Sequence, residues 1–405
     1  MQFLNFLIAI LELVLFAYLA FGALYILVFS VAGLFKPRLR TKKAAEVIRN
    51  FAVLIPGYKE DSVIVEVTKE ALKQSYNKDK YEVIVIADSF KQETLKTLKA
   101  LPIRLIEVSF ETSTKSKALN TAMAQIGDGY DVALILDADN IMETDFITKI
   151  NSAFDAGYTV VQGHRMAKNT NTSFAILDAI SEEVNNHIFR KGHRVLGLSS
   201  GLIGSGMAFD YSFFKSTMAN INAIGGFDKE LELTLLRDGE TIEYLHDAII
   251  LDEKVQNATV FANQRKRWLS AQFVYFKRFF WSGLKALFLE GNINFFDKSY
   301  QMIAPPRVIL AGLVTVITLV SYLLLLFFPQ ISAYFSVPPM AWIVIFAMVV
   351  MAFLCAIPRV FYNKKTLVAL LTLPKAFMLM FLLLFKLKGA NKKYIHTQHG
   401  TISSN

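Results

Sequence analysis

The sequence predicts an α/β domain built on a parallel sheet and inserted between membrane-crossing helices. Three observations predict it. Apolar residues collect at the two ends of the chain, and strand-like and helix-like stretches alternate between them. Asp88, Asp137 and Asp139 each follow an apolar run, where strand ends expose ligand-binding edges. The chain has 405 residues, 54% of them hydrophobic, with a formal net charge of +9. That is too apolar for an ordinary soluble domain, so the surplus has to be localised.

The first apolar run, Phe3 to Phe35, contains only Glu12 as a charge. It is too long for a signal-peptide core and lacks a basic leader and a small-residue cleavage site, so it reads as a membrane span. Lys36, Arg38, Arg40, Lys42 and Lys43 follow it and place that side in the cytoplasm. Val308 to Phe328 and Met340 to Ile357 are two further spans, joined by an uncharged loop that suits the outside. Arg359, Lys364 and Lys365 return the chain inside. Thr366 to Phe385 is apolar but interrupted by Pro374 and Lys375, and the tail after it is basic. A re-entrant or interface-lying segment is therefore expected there, with the tail cytoplasmic. The basic excess flanks membrane segments, so anionic lipid is the expected partner and nucleic acid is not. Cys355 is the single cysteine, which excludes an intrachain disulfide and a cysteine metal site.

From Thr41 to about Gly291 the texture changes. Phe51–Ile55, Glu82–Ala87, Ile103–Val108, Val132–Leu136 and Tyr158–Gly163 read as strands. Glu60–Gln74 and Lys115–Ile126 read as helices between them. Asp137 and Asp139 end one strand; alternate residues of a strand share a face, so both carboxylates can point the same way. Converging carboxylates repel unless a cation sits with them. An ordinary turn would also account for the pair, because Asp and Asn are common turn formers. With Asp88, Pro56 and Tyr58 at the same rim, the carboxylates are expected to hold a divalent cation against phosphate oxygens. A haloacid-type phosphatase also uses two aspartates so spaced, but there the pair follows the first strand.

The ordered series VLIPGYKE (Val53 to Glu60), VIVIADS (Val83 to Ser89), KSKALN (Lys115 to Asn120), LILDADN (Leu134 to Asn140), GSGMAF (Gly204 to Phe209), GGFDKELELTLLRDG (Gly225 to Gly239) and QRKRW (Gln264 to Trp268) resembles the membrane-integrated family 2 glycosyltransferases. That family includes cellulose, chitin and hyaluronan synthases. The resemblance implies the α/β GT-A fold, Rossmann-like, and inverting transfer from a nucleotide-diphosphate sugar, with a UDP-sugar expected. It implies donor contacts from Tyr58, Glu60, Asp88, Lys117, Asp137, Asp139, Gln264 and Arg267. A Mg2+ or Mn2+ ion would lie on Asp139 and Asp137. Lys117 is set against a plain solvated helix face, a description that fits Lys115 better.

Inversion needs a base for the acceptor hydroxyl. The family's catalytic aspartate falls in register with Glu230, with Asp228 and Glu232 as alternatives; acids opening a helix would look the same. In the glutamine–arginine–tryptophan motif, Arg267 supplies a cation for the departing diphosphate and Trp268 a platform for the acceptor sugar. The same residues also suit an amphipathic interface helix, continued by Phe273, Phe276, Phe279, Phe280 and Trp281. Gly204, Ser205 and Gly206 would let the backbone approach the acceptor. The expected organisation is a membrane helix over 1–35, a cytoplasmic catalytic domain over 41–263, interface helices over 264–304, membrane or re-entrant helices over 305–388 and a cytoplasmic tail over 389–405. A gating role is carried for the tail stretch Tyr394 to Gly400.

The leading expectation is a polysaccharide synthase in a bacterial inner membrane. Its few spans would call for a homo-oligomer or partner to form a polymer channel. A single-addition transferase on a lipid-linked acceptor is the alternative, and an inactive assembly subunit a third.

Overall fold

A computed structural model describes residues 2–37, 46–221, 223, 225–332 and 334–385. Most of the basic run after the first span, and the whole tail stretch from Tyr394, lie outside the described residues. The chain opens with α1 (Gln2–Ala32), then β1 (Phe51–Tyr58), α2 (Ile64–Ala71), β2 (Tyr81–Asp88), α3 (Gln92–Lys99) and β3 (Arg104–Val108). It continues with α4 (Lys115–Ile126), β4 (Val132–Ile135), β5 (Ile141–Met142), α5 (Phe146–Asp155), β6 (Val160–Ala167) and α6 (Ser173–Asn185). A π-helical segment, Asn186–Gly192, joins α6 to the single turn α7 (His193–Val195). Then come β7 (Met207–Asp210), α8 (Tyr211–Met218), α9 (Phe227–Arg237), β8 (Ile242–Asp252), α10 (Ala258–Glu290) and α11 (Ile293–Gln301). The membrane end holds α12 (Arg307–Phe327), α13 (Pro329–Ser332), α14 (Pro339–Ala356), α15 (Lys364–Leu370) and α16 (Leu373–Leu384).

The sheet has eight strands in the order β3-β2-β1-β4-β7-β6-β8-β5. Strands β3, β2, β1 and β4 are parallel, as the alternation of strands and helices requires. The expected all-parallel sheet does not hold beyond β4. Strand β7, which shows in the sequence only as a glycine motif, enters antiparallel to both β4 and β6. The run expected as a fifth parallel strand is β6, which begins at Val160 and pairs in parallel only with β8. The physical reason is the intervening helical excursion from α6 to α7, which brings the chain back from the carboxyl side of the sheet.

Both faces are buried, which is why the strands read as continuous apolar runs. Ala52, Leu54, Ile84 and Ile86 face a core shared with α4, α8, α9 and α10. Phe51, Val53, Val83 and Val85 face the opposite core with α2, α3 and α5. Pro56 is tolerated inside β1 because its ring nitrogen points to the side where β4 has already ended, after Leu136 N–H donates to Leu54 O.

Among the described residues, three helices are long and apolar enough to cross a membrane: Phe6–Ala32, Arg307–Phe327 and Pro339–Ala356. Leu19, Ala23, Ile26 and Phe29 of α1 pack with Trp342, Ile345 and Val349 of α14 and with Leu310 and Val314 of α12. The lone acid of α1, Glu12, accepts backbone N–H bonds from Ser336 (2.7 Å) and Val337 (3.1 Å) in the turn before α14. The fourth apolar segment is the pair α15 and α16, bent by 41°, the geometry of a broken span or a re-entrant loop. The C-terminal end of α1 meets the π segment with almost no space. A Cβ on Gly192 would lie 2.2 Å from the Phe29 carbonyl oxygen, and one on Gly33 would lie 2.5 Å from the His187 ring.

Candidate active site

The carboxyl ends of β1, β2 and β4 form one rim. Register pairing puts Tyr58 beside Asp88, and both line a cavity of about 980 Å³. Two non-glycine residues there adopt left-handed backbone: Lys59 (φ 56°) after β1 and Ser89 (φ 59°) after β2. Such strain persists only where surrounding structure enforces it, and it collects at functional sites. Here Lys59 N–H donates to Asp88 O (3.1 Å), and Ser89 Oγ donates to Asp88 Oδ1 (2.9 Å). The side chain of Asp88 is thereby fixed. Glu60 also lines the cavity, and its carbonyl starts α2 by accepting from Ile64 N–H.

Asp137 and Asp139 both line the cavity, but they do not share a strand face. The strand stops at Ile135, and the two aspartates sit in a turn closed by Asn140 N–H on Asp137 O at 3.1 Å. Asp139 is buried and accepts from Asn140 Nδ2 (3.0 Å), while Asp137 receives Lys115 Nζ. The expectation for the two lysines is reversed. Lys117 is exposed and donates to Thr112 O, outside the cavity wall, because the Thr114 cap sets α4 with its Lys115 face inward. Lys115 Nζ also donates to Gly204 O at 2.7 Å and lies 5.1 Å above the Phe227 ring.

Gly204 has φ 84°, a conformation that favours glycine, and a Cβ there would lie 3.8 Å from the Asp228 carboxyl carbon. Gly204 and Asp228 are therefore neighbours in the cavity wall. Ser205 and Gly206 are not in the wall as expected. Ser205 is fully buried and its Oγ accepts Asp137 N–H (2.9 Å), and a Cβ on Gly206 would meet Ile250 at 2.7 Å. Both stand behind the wall and hold the aspartate turn. Gln162 braces the same loop, donating to Ser205 O and accepting from Ile203 N–H.

Among the acids opening α9, Asp228 lines the cavity. Glu230, favoured from sequence, is absent from the wall. It is buried against α10, receiving Arg278 Nη1 at 2.6 Å and Tyr275 OH at 3.3 Å. Burial and the Glu230 charge push the Tyr275 hydroxyl far above its ordinary range. Glu232 is fully buried between Lys298 (2.7 Å) and Lys229 (3.2 Å) and accepts Leu202 N–H. Burial alone would raise Glu232, but the two ammonium groups outweigh it and hold it below the usual carboxylate range. One helical turn thus sends its first acid to the cavity and the next two into packing.

Gln264, Arg267 and Trp268 all line the cavity from α10. Gln264 Oε1 is buried with no hydrogen-bond partner among the described residues. The Trp268 ring is covered on one face by the Arg265 guanidinium at 4.3 Å, and Arg265 is anchored by Asp178.

Sequence reading missed a buried ionic cluster behind the aspartates. Asn140 Nδ2 bridges Asp139 to Asp252 Oδ1 (2.9 Å), Lys254 pairs with Asp252 (2.6 Å), and Arg165 pairs with Glu182 (2.8 Å). Burial would raise Glu182, but Arg165, Lys254 and Arg190 outweigh it and hold it far below the usual range. Burial would likewise lower Lys254, yet Asp252 and Glu182 lift it above its ordinary value. The one sequence signal was the cluster Asp252-Glu253-Lys254 ending a long apolar strand.

Beyond Arg265 the cavity continues between the membrane helices, where Ala311, Gly312, Phe353, Ile357, Phe377 and Met380 line it. A single space joins the aspartate rim to an apolar crevice.

A family model described as glycosyltransferase like family 2 matches residues 49–271. No curated protein matches. Among solved structures, the mannosyltransferase PcManGT from Pyrobaculum calidifontis, in complex with GDP-Man and Mn2+, is similar at 16% identity and a TM-score of 0.50, covering 84% of this chain and 96% of that one. Glucosyl-3-phosphoglycerate synthase from Mycobacterium tuberculosis, with Mn2+, UDP and phosphoglyceric acid, matches at 15% identity and a TM-score of 0.36, over 52% of this chain and 71% of that one. S. aureus TarS 1-349 in complex with UDP-GlcNAc matches at 18% identity and a TM-score of 0.37, over 52% and 60%.

Proposed function

The chain belongs to the glycosyltransferase-like family 2, and on that premise we propose that it moves one sugar from a nucleoside diphosphate to a lipid-linked acceptor at the cytoplasmic membrane surface. The GT-A fold and the nucleotide-sugar glycosyltransferase activity follow from the family. The acceptor class rests on one observation: the cavity that holds the aspartate rim opens into the apolar crevice between α12, α14 and α16. A growing polysaccharide needs hydroxyl partners along its path, whereas Ala311, Phe353, Phe377 and Met380 offer none. An isoprenoid or acyl chain fits those walls and leaves its polar head at the rim.

The donor set supports a divalent cation on Asp137 and Asp139. No group of three or more His, Cys, Asp or Glu suited to a metal is found among the described residues. Two hard carboxylates completed by substrate phosphates match the way Mg2+ is commonly held, and Mn2+ favours the same oxygens. The Lys115 ammonium already lies against Asp137 together with the Gly204 carbonyl, so positive charge is accommodated at this carboxylate. Mg2+ or Mn2+, when bound, offsets charge on the departing diphosphate.

The residues supply the rest. Tyr58, Glu60 and Asp88 hold the nucleoside at the β1–β2 rim. Lys115 and Arg267 neutralise the diphosphate, and the orphaned Gln264 oxygen accepts a donor-sugar hydroxyl. Asp228 takes the proton from the acceptor hydroxyl, whose oxygen bonds to the anomeric carbon. The bond from that carbon to the diphosphate oxygen breaks as it forms, and the nucleoside diphosphate leaves with the electron pair. Attack opposite the leaving group inverts the centre. The exposed face of Trp268 carries the acceptor sugar.

The test is to incubate the purified full chain with a panel of nucleotide sugars, Mg2+ or Mn2+, and either a polyprenyl-linked sugar or a free oligosaccharide. Expected are release of a nucleoside diphosphate and a product that partitions into organic solvent with one added sugar. EDTA and Asp139→Asn are expected to abolish both. A long water-soluble polymer would return the reading to a polysaccharide synthase, and undiminished turnover in EDTA would remove the metal.

A further inference from the structure

We infer that Arg307 forms a phosphate-binding subsite at the mouth of the intramembrane crevice, and that the acceptor is a lipid whose chain is joined to its sugar through phosphate. This deepens the reading of a lipid-linked acceptor and rests on it.

Four other cations lining the cavity have carboxylate partners. Arg165 has Glu182, Arg265 has Asp178, Lys254 has Asp252, and Lys298 has Glu232. Arg307 has no carboxylate within 4.0 Å among the described residues. Its Nη2 donates to Ser181 O (3.2 Å) and, more weakly, to Ser181 Oγ (3.4 Å), while its Nη1 is buried without any partner. The neighbouring Arg265 and Arg190 add positive potential, Glu182 offsets part of it from beyond ion-pair distance, and the Phe189 ring lies 5.6 Å from the guanidinium. Arg307 is half-buried with no carboxylate in contact, and a charge so weakly compensated is costly, so the arrangement favours an anion.

The position says where that anion comes from. Arg307 is the first residue of α12, after Pro305 and Pro306, and no side chain caps that helix start. The free N–H groups and the helix dipole add to the guanidinium's pull on an anion. Phosphate matches the planar donor fork of arginine. From Arg307 the cavity runs along one face of α12 past Val308, Ala311 and Thr315, with Met380 opposite and the Phe377 ring packed directly on Gly312. The charged end therefore opens on the catalytic rim, and the apolar end lies among helices long and apolar enough to cross a membrane. A ligand filling both has an apolar chain, a phosphate at Arg307 and a sugar hydroxyl carried on toward Asp228.

The experiment measures binding of a radiolabelled polyprenyl phosphate, and of the matching polyprenol, to the full chain in nanodiscs of neutral lipid. Wild type, Arg307→Gln and Arg307→Lys are compared, with UDP binding followed on each. Wild type is expected to prefer the phosphate. Arg307→Gln is expected to lose about tenfold to a hundredfold of that affinity, the range for a hydrogen bond to a charged group, while polyprenol and UDP binding hold. Arg307→Lys is expected to recover part of the loss. Equal binding of phosphate and alcohol by wild type overturns the subsite and leaves the lipid-acceptor reading intact; binding of neither lipid sinks that reading itself. Full competition by millimolar inorganic phosphate assigns the site to the free ion instead of the lipid. If Arg307→Gln loses UDP binding but keeps the lipid, the guanidinium serves the donor and the inference is wrong. Should the Gln variant not fold, the wild-type contrast between phosphate and alcohol, with the Lys variant, still decides.

Discussion

Asp228 and Glu230 lie two positions apart on one helical turn and meet different surroundings. Asp228 lines the cavity beside Gly204, and Glu230 is clasped by Arg278 and Tyr275. Asp228→Asn is expected to cut transfer by about a hundred- to ten-thousand-fold, the usual range for a general base, with nucleotide affinity retained. Glu230→Gln removes one partner of a buried ion pair. Arg278 is mostly exposed, so only a modest fall in melting temperature and near-normal turnover per folded molecule are expected. Turnover and calorimetry on the two variants decide the assignment, and the reverse pattern would restore Glu230 as the base. Sequence could place both acids at a helix start, but spacing alone does not say which way a first turn is rotated. That rotation is set by Gly226, left-handed at φ 68° before α9, and by α10 packing alongside. The same limit explains the two lysines: the stretch KSKALN was legible as a helix, while the inward side of its first turn was not.

At the scale of elements, the parallel half of the sheet was legible because both its faces are buried and its strands are unbroken apolar runs. Strand β7 was hidden because four residues carry no period of their own and it begins inside a glycine-rich motif. Packing between elements leaves even less trace. The contact between α1 and the π segment depends on two glycines far apart in sequence, Gly33 and Gly192. Gly192→Ala would drive a methyl group into the Phe29 carbonyl at 2.2 Å, against backbone that cannot swing aside. It is expected to destabilise the docking of α1 by about 1–3 kcal/mol, in line with other overpacking changes. Limited proteolysis of the membrane-reconstituted protein near residues 33 to 50 should accelerate; unchanged protection would mean that α1 docks through its apolar contacts alone.

For the whole molecule, composition announced the division between membrane ends and a soluble middle, and the motif order announced the catalytic domain. The cavity was not foreseeable, because its wall gathers side chains from Pro56 to Met380 and no local pattern records that convergence. Its continuity makes orientation testable. In a Cys355→Ala background, Lys99→Cys on the catalytic domain is expected to resist an impermeant thiol reagent in intact cells. Tyr334→Cys, 81% exposed in the turn between α12 and α14, is expected to react. Labelling at 99 and protection at 334 would invert the topology and place the donor site outside.

The π segment turns chain length itself into a carrier of information. Each of its hydrogen bonds spans one residue more than an α-helical bond does. The helix therefore presents Glu182 and Arg190 to the cavity and, further on, Gly192 and His193 to α1. A substitution scan reads side chains one at a time, and every position from Asn186 to Gly192 is buried or half-buried. A deletion scan counts residues. Removing any one between Asn186 and Gly192 is expected to relax the segment toward an α-helix and swing everything after it by about 100° relative to α6. Loss of folded protein from a single deletion, at sites where alanine is harmless, would be the signature of a spacing requirement.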